Sequence, residues 1–179
     1  MLEQSSTILV CIDFQRSLTR VMYNREDLFK NTRKLISGLG VLNIPILWTE
    51  QHPRMLGPTV PEIAECMPDN TPISKMSFSC CLNEEFMKAL KAANRRQVLI
   101  CGIEAHICVY QTAIDLMSMA YEVQVAADCV SSRTLENKTI GLEKTKKEGA
   151  DVTSAEIVLF ELLKTAESPK FKNIVKIVK

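Results

Sequence analysis

The sequence predicts an α/β protein built on a parallel sheet, and three observations carry that prediction. Short, continuously apolar runs rich in β-branched residues recur at Thr7–Ile12, 46–49 and 98–101, as strands covered on both faces require. Between them lie longer stretches in which apolar residues return every three or four positions, the mark of helices resting on a sheet. Strand-like and helix-like segments alternate throughout, which implies right-handed crossover connections.

Taken in order, Thr7–Ile12 (TILVCI) is the first strand and ends on a charge, Asp13. Arg25–Leu42 carries Leu28, Leu35, Ile36, Leu39 and Leu42 on one stripe and reads as a helix; Asn43-Ile44-Pro45 stops it. The second strand, 46–49, gives way to Glu50, Gln51 and His52. Residues 53–72 hold Pro53, Pro58, Pro61, Pro68 and Pro72 without sustained periodicity, and predict a loop beside the active site. Ile73–Lys75 is a short extended piece, and 83–93 is a helix opened by the cap residue Asn83. The apolar run 98–101 reaches Gly102, crosses a polar break at 104–106, and turns helical through Val109, Thr112, Ala113 and Leu116. Residues 122–126 alternate as a strand that stops before Asp128; 134–149 and 154–163 are helices, with 151–153 leading into the second. The basic end, 170–179, is compatible with a strand or a helix.

Composition narrows the functional classes. The 179 residues suit one domain, residues 1–179, large enough to bury its own core. With 22 basic against 21 acidic side chains there is no basic footprint for nucleic acid, so small molecules and protein partners are the expected ligands. Seven scattered cysteines argue against a disulfide framework and for a reducing, cytoplasmic setting. No stretch approaches the roughly 20 apolar residues that span a bilayer, and the first residues lack a signal-peptide pattern, so no membrane association is expected.

Three residues at strand ends carry the chemistry: Asp13, Lys75 and Cys108. In open parallel sheets ligands bind beyond the carboxyl ends of the strands, so these side chains converge if their strands are neighbours. Cys108 stands in the first turn of a helix, where free N–H groups and the helix dipole favour a thiolate. Lys75 supplies positive charge, and Asp13 can take the thiol proton, return it to a leaving group and then activate water. Taken singly, each residue has a plainer reading: a helix cap, a solvated lysine, a small buried apolar side chain. The Cys80-Cys81 pair suggests a weaker redox alternative.

The segments VCIDFQ, SKMSFS and CGIEAHICVYQTAIDL resemble the isochorismatase-like cysteine hydrolases, whose members carry a D-x-Q motif, a lysine about sixty residues on, and a cysteine opening the helix after a glycine turn. The GIEAHIC turn is closest to the branch related to the isochorismatase-domain-containing proteins. The resemblance implies a three-layer α/β/α fold with a doubly wound, six-stranded parallel sheet and an Asp13–Lys75–Cys108 triad. It also implies a non-proline cis peptide at Ile103-Glu104, with the N–H groups of Glu104 and Cys108 as an oxyanion hole. Nicotinamidases of the family bind a metal through D-x-H-x-x-H, where this chain has Glu50-Gln51-His52-Pro53-Arg54-Met55. One histidine is no metal site, so neither metal nor cofactor is expected. The presence of Cys108 points to cleavage of a carbon–nitrogen bond in an amide or carbamoyl compound through a thioester. The alternative is a binding or assembly protein that keeps the fold. Phe14, Gln15, Trp48 and His106 are candidates to line the substrate site, and a homo-oligomer is expected, with apolar residues of 55–67 and 117–121 in its contacts.

Overall fold

The computed structural model describes residues 1–179. Six strands, β1 (Thr7–Ile12), β2 (Ile46–Gln51), β3 (Ile73–Lys75), β4 (Gln97–Ile103), β5 (Glu122–Ser131) and β6 (Asp151–Thr153), pair in parallel in the order β3-β2-β1-β4-β5-β6. The chain works outward from β1 to one edge, returns to the centre as β4 and continues to the other edge. The sheet is therefore doubly wound, as expected. The direction of winding reverses between β1 and β4, and connections leaving these two strands on opposite sides open a crevice at their carboxyl ends.

Alternation along the central strands divides the core. Leu9 and Cys11 of β1, with Leu99, Cys101 and Ile103 of β4, face α2 (Arg25–Leu42), α8 (Ala155–Leu163) and α9 (Phe171–Val178). Ile8, Val10 and Ile12, with Val98 and Ile100, face α5 (Glu84–Ala93), α6 (Tyr110–Ser118) and α7 (Leu135–Lys147). Every residue of β1 is buried, which is why its sequence reads as an unbroken apolar run. Asn83 caps α5 through Oδ1, which accepts from Phe86 N–H, and the side chain of Thr134 caps α7 by accepting from Asn137 N–H.

Several expectations need correction. The proline-rich 53–72 is not a bare loop: it contains two short helices, α3 (Pro53–Leu56) and α4 (Pro61–Ala64), each with proline at its first position, where the missing N–H costs nothing. A further short helix, α1 (Arg16–Thr19), precedes α2. Strand β5 does not stop before Asp128. Its register against β4 slips between Val125 and Val130, so Asp128 lies in a bulged stretch, where Oδ1 accepts from the Ala155 N–H at the start of α8, 2.9 Å away. Residues Asp151–Thr153, read only as a lead into the next helix, are the sixth strand that the resemblance implies, and the basic end, compatible in sequence with either form, is a helix with Ile174 fully buried in the core shared with α2 and α8.

Candidate active site

Asp13 and Lys75 meet at the carboxyl ends of β1 and β3, and Cys108 lies near enough for both charges to act on its thiol. Asp13 follows β1 directly, with φ 56, a left-handed conformation that aspartate tolerates better than most residues. Its two oxygens have different partners: Oδ2 accepts from Lys75 Nζ at 2.7 Å, and Oδ1 accepts from the Thr49 hydroxyl of β2 at 2.9 Å. Lys75 ends β3, and its ammonium also donates to Gln51 Oε1 at 2.7 Å and to the carbonyls of Ser77 and Phe78. The Asp13 and Lys75 side chains have no solvent exposure. A buried charge pair is tolerated only when its remaining hydrogen-bonding capacity is met, as it is here.

Cys108 follows β4 through an unusual connection. After Gly102 the peptide Ile103-Glu104 is cis, and Ala105–Val109 then form a wide, π-type turn that runs into α6. Gly102 takes φ 138, and a Cβ there would run into the carbonyl and side chain of Ile12, so only glycine lets β4 lie this close to β1. From the other side α7 presses Gly141 against the turn, where a Cβ would stand 2.8 Å from the Ala105 backbone. Glu104 is held at its carboxylate by Arg133, whose Nε and backbone N–H both donate to Oε2. The Glu104 N–H makes no backbone hydrogen bond.

The electrostatics differ from the simple dipole argument. Burial pushes the Cys108 thiol up to about 12, a rise that the Lys75 charge opposes and Asp13 reinforces. The resting group is thus a protonated thiol, because lost hydration outweighs the help of one turn of helix dipole. Burial likewise raises the Asp13 carboxyl above its usual range despite Lys75 and Thr49. For Lys75, burial works against the charged form, but Asp13 with Cys80 and Cys108 more than offsets it, and the ammonium titrates above its ordinary value.

The four residues expected to line the site are placed differently. Phe14 is fully buried, edge-on to Phe29 at 6.4 Å between ring centres, and offers no surface to a ligand. Trp48 is also core, its indole N–H donating to Thr59 Oγ1 at 2.7 Å. Gln15 is fully buried and spends its amide on the backbone: Nε2 donates to the Gln51 and Gly57 carbonyls, and Oε1 accepts from Gln51 N–H. It ties the segment 51–57 to the end of β1. Only His106 is partly exposed, with Nδ1 2.9 Å from Ser132 Oγ. Thr49, Gln51 and Arg133 do not stand out in the sequence as site residues, and Cys80 does so only as half of a redox pair. The available signal was position: β2 lies between β1 and β3, so polar residues near its carboxyl end stand beside both Asp13 and Lys75. A surface cavity of about 650 Å³ between α2 and α9 shares no residue with this cluster. No group of His, Cys, Asp or Glu side chains is arranged to hold a metal ion.

The doubly wound parallel sheet, with an acid and an ammonium paired at its switch point, is the fold of the isochorismatase-like hydrolases. Residues 7–157 match the Isochorismatase domain. The chain is 37% identical to the secreted isochorismatase effector Isc1 of Phytophthora sojae, over 100% of this chain and 87% of that protein. It is 36% identical to isochorismatase domain-containing protein 2 of Danio rerio, over 98% of this chain and 87% of that one. A solved structure described as MAR1 ribonuclease from Caenorhabditis elegans superposes with a TM-score of 0.93 at 32% identity, covering 99% and 91% of the two chains. The chain belongs to the isochorismatase family.

Proposed function

We propose that this family hydrolase cleaves the carbon–nitrogen bond of a small amide or carbamoyl compound through a Cys108 thioester, without a metal, and that residues 1–179 act as one domain. The observation that carries the reading is the approach of the Cys108 thiol to a fully buried Asp13–Lys75 pair at the sheet's switch point.

Asp13 takes the thiol proton as Cys108 Sγ adds to the carbonyl carbon, because a thiol titrating near 12 is not ionised beforehand at neutral pH. The Glu104 and Cys108 N–H groups face the developing oxyanion. The adduct collapses, the C–N bond breaks, and Asp13 returns its proton to the leaving nitrogen. Asp13 then removes a proton from water, which attacks the thioester; the acid leaves and Cys108 is reprotonated. Lys75 holds Asp13 in place and balances its charge during both half-reactions.

Cys108 keeps only 7% of its surface exposed, which suits a small carbonyl compound better than an RNA strand, although one relative is described as a ribonuclease. No helix is long and apolar enough to cross a membrane, and the seven unpaired cysteines support action in a reducing, intracellular setting. Homo-oligomerisation is part of the proposal. It is supported by exposed Met55, Met76, Phe78 and Leu82, whereas Val60, Ile63 and Met67, from the stretch expected to form contacts, are core. Light scattering on the purified protein reports the assembly.

The decisive experiment exposes the protein to a panel of small amides, with a single-stranded RNA as control, and follows product and intact mass. Turnover of an amide with a Cys108-dependent acyl adduct is expected, and Cys108→Ala should abolish both. RNA cleavage that survives Cys108→Ala, or no adduct across the panel, would favour the other assignments: a nuclease or a binding protein.

A further inference from the structure

We propose that Thr49 is the positioning residue for Asp13, and that the buried Cys80 thiol fixes the direction in which Thr49 donates. The inference rests on the reading of Asp13 as the base and adds the groups that aim it.

Thr49 is fully buried and contacts Asp13 twice: its carbonyl accepts from the Asp13 N–H at 3.2 Å, and its hydroxyl donates to Oδ1 at 2.9 Å. A threonine hydroxyl has one proton to give. An ionised Asp13 offers no donor, so that proton belongs on Oδ1, and the oxygen's lone pairs remain for a second donor. Cys80 Sγ lies 3.8 Å from the same hydroxyl oxygen. With the Thr49 proton committed to Asp13, the Cys80 S–H is the donor of this contact. The three groups form a directed chain from Cys80 S–H to Thr49 O–H to Asp13 Oδ1. Cys80 is itself held in place: it is fully buried, and its backbone N–H donates to Oγ1 of Thr112 in α6 at 3.0 Å.

Each oxygen of the Asp13 carboxylate already accepts one donor. Oδ2 faces the Lys75 ammonium, which gives protons and accepts none. A proton arriving from Cys108 is repelled by that ammonium and settles on the second lone pair of Oδ1, the first being held by the Thr49 hydroxyl, so Thr49 sets its direction. Removing the hydroxyl frees the carboxylate to rotate and leaves its charge less well solvated, which favours the protonated form and leaves less of the ionised base at a given pH. The titratable groups facing Asp13 are Lys75 from β3, Cys80 from the turn that follows it, and Cys108 from the turn after β4.

The test measures carbamidomethylation of Cys108 by iodoacetamide, read by peptide mass spectrometry, from about pH 4 to about pH 9. All variants carry Cys66→Ser, which removes the one cysteine that is not buried. The parent should show an acid limb where Asp13 becomes protonated. Thr49→Val should move that limb to higher pH and slow labelling below it by about tenfold or more, the loss expected of a hydrogen bond to a charged group. Thr49→Ser should restore the parent profile, and Cys80→Ala should shift it the same way by less. Thermal melts accompany each variant, with Thr49→Ala as the second substitution if valine disturbs the packing. A parent limb that neither Thr49→Val nor Thr49→Ala moves overturns the role of Thr49, as does failure of a folded Thr49→Ser to rescue. A parent with no acid limb, or one whose labelling is indifferent to Asp13→Asn, overturns the reading of Asp13 as base instead.

Discussion

At the residue scale, the site is a balance between burial and pairing. Asp13, Lys75 and Cys108 are each moved upward in pKa, and each shift has burial as its first cause or first opponent. Activity should therefore fall on the acid side as Asp13 is protonated, at a pH above the ordinary carboxylate range. No alkaline limb should arise from Cys108 or Lys75 below about pH 10. A pH profile of turnover checks both sides. Thiol reactivity follows the same logic. Cys66 is the one cysteine that is not buried, so iodoacetamide should modify it first in the unsubstituted protein; sequence alone pointed to Cys108. After Cys66→Ser, Cys108 labelling should depend on Asp13, and Asp13→Asn should slow it by about 10²-fold or more, the range typical of a lost general base. Peptide mapping with time distinguishes the two sites.

At the element scale, the turn from β4 into α6 is pinned from two sides by glycines, for different reasons. Gly102 is demanded by its positive φ and by the nearness of Ile12; Gly141 has an ordinary conformation but leaves room for the Ala105 backbone. Gly141→Ala should cost about 1–3 kcal/mol, as overpacking against unyielding backbone does, and should displace the Ala105–Val109 turn. The expected signature is a lower melting temperature together with slower Cys108 labelling, because the pressed element carries the thiol. Gly102→Ala should be more severe, since it adds a disfavoured backbone conformation to a clash with β1. Gly40 provides the comparison, because a Cβ added there would meet nothing within 4 Å: Gly40→Ala should be neutral or stabilising.

At the scale of the whole molecule, the Asp13–Lys75 pair lies across the sheet, linking β1 at the centre to β3 at the edge through β2. Lys75→Met leaves a carboxylate buried without its cation and should cost about 3–5 kcal/mol of stability; adding Asp13→Asn should recover much of that, because the penalty belongs to the unpaired charge. Denaturant titration of the two singles and the double measures it. The sign with pH follows from linkage. Lys75 titrates above its unfolded value of 10.5, so its contribution is complete below that pH and is lost as pH rises through the folded value. Stability should thus decline in strongly alkaline solution, and less so in the double variant.

Much of this architecture is legible in the chain. Apolar runs at Thr7–Ile12 and 98–101 marked the central strands because burial on both faces leaves no room for polar residues, and Asp13, Lys75 and Cys108 stood out as polar groups at the ends of extended segments. The short elements were less legible: α1, α3, α4 and β6 have three or four residues each, too few for a period to register. Nor can periodicity tell which apolar or polar residue faces a ligand. Phe14 and Gln15 adjoin Asp13 in sequence, yet Phe14 turns into the core and Gln15 into the backbone of 51–57.

By itself, then, the sequence determined the α/β class, the polar residues at the strand ends to which we assign the chemistry and the kinship with the isochorismatase-like hydrolases, because these depend on local pattern. Strand order, the bulge that carries Asp128 to α8, the protonation state of Cys108 and the presence of Thr49 and Cys80 beside Asp13 were decided by tertiary structure. The physical reason is that hydration is removed, and partners are supplied, by residues distant in the chain: Asp13 meets its cation 62 positions away, and no local pattern records that encounter.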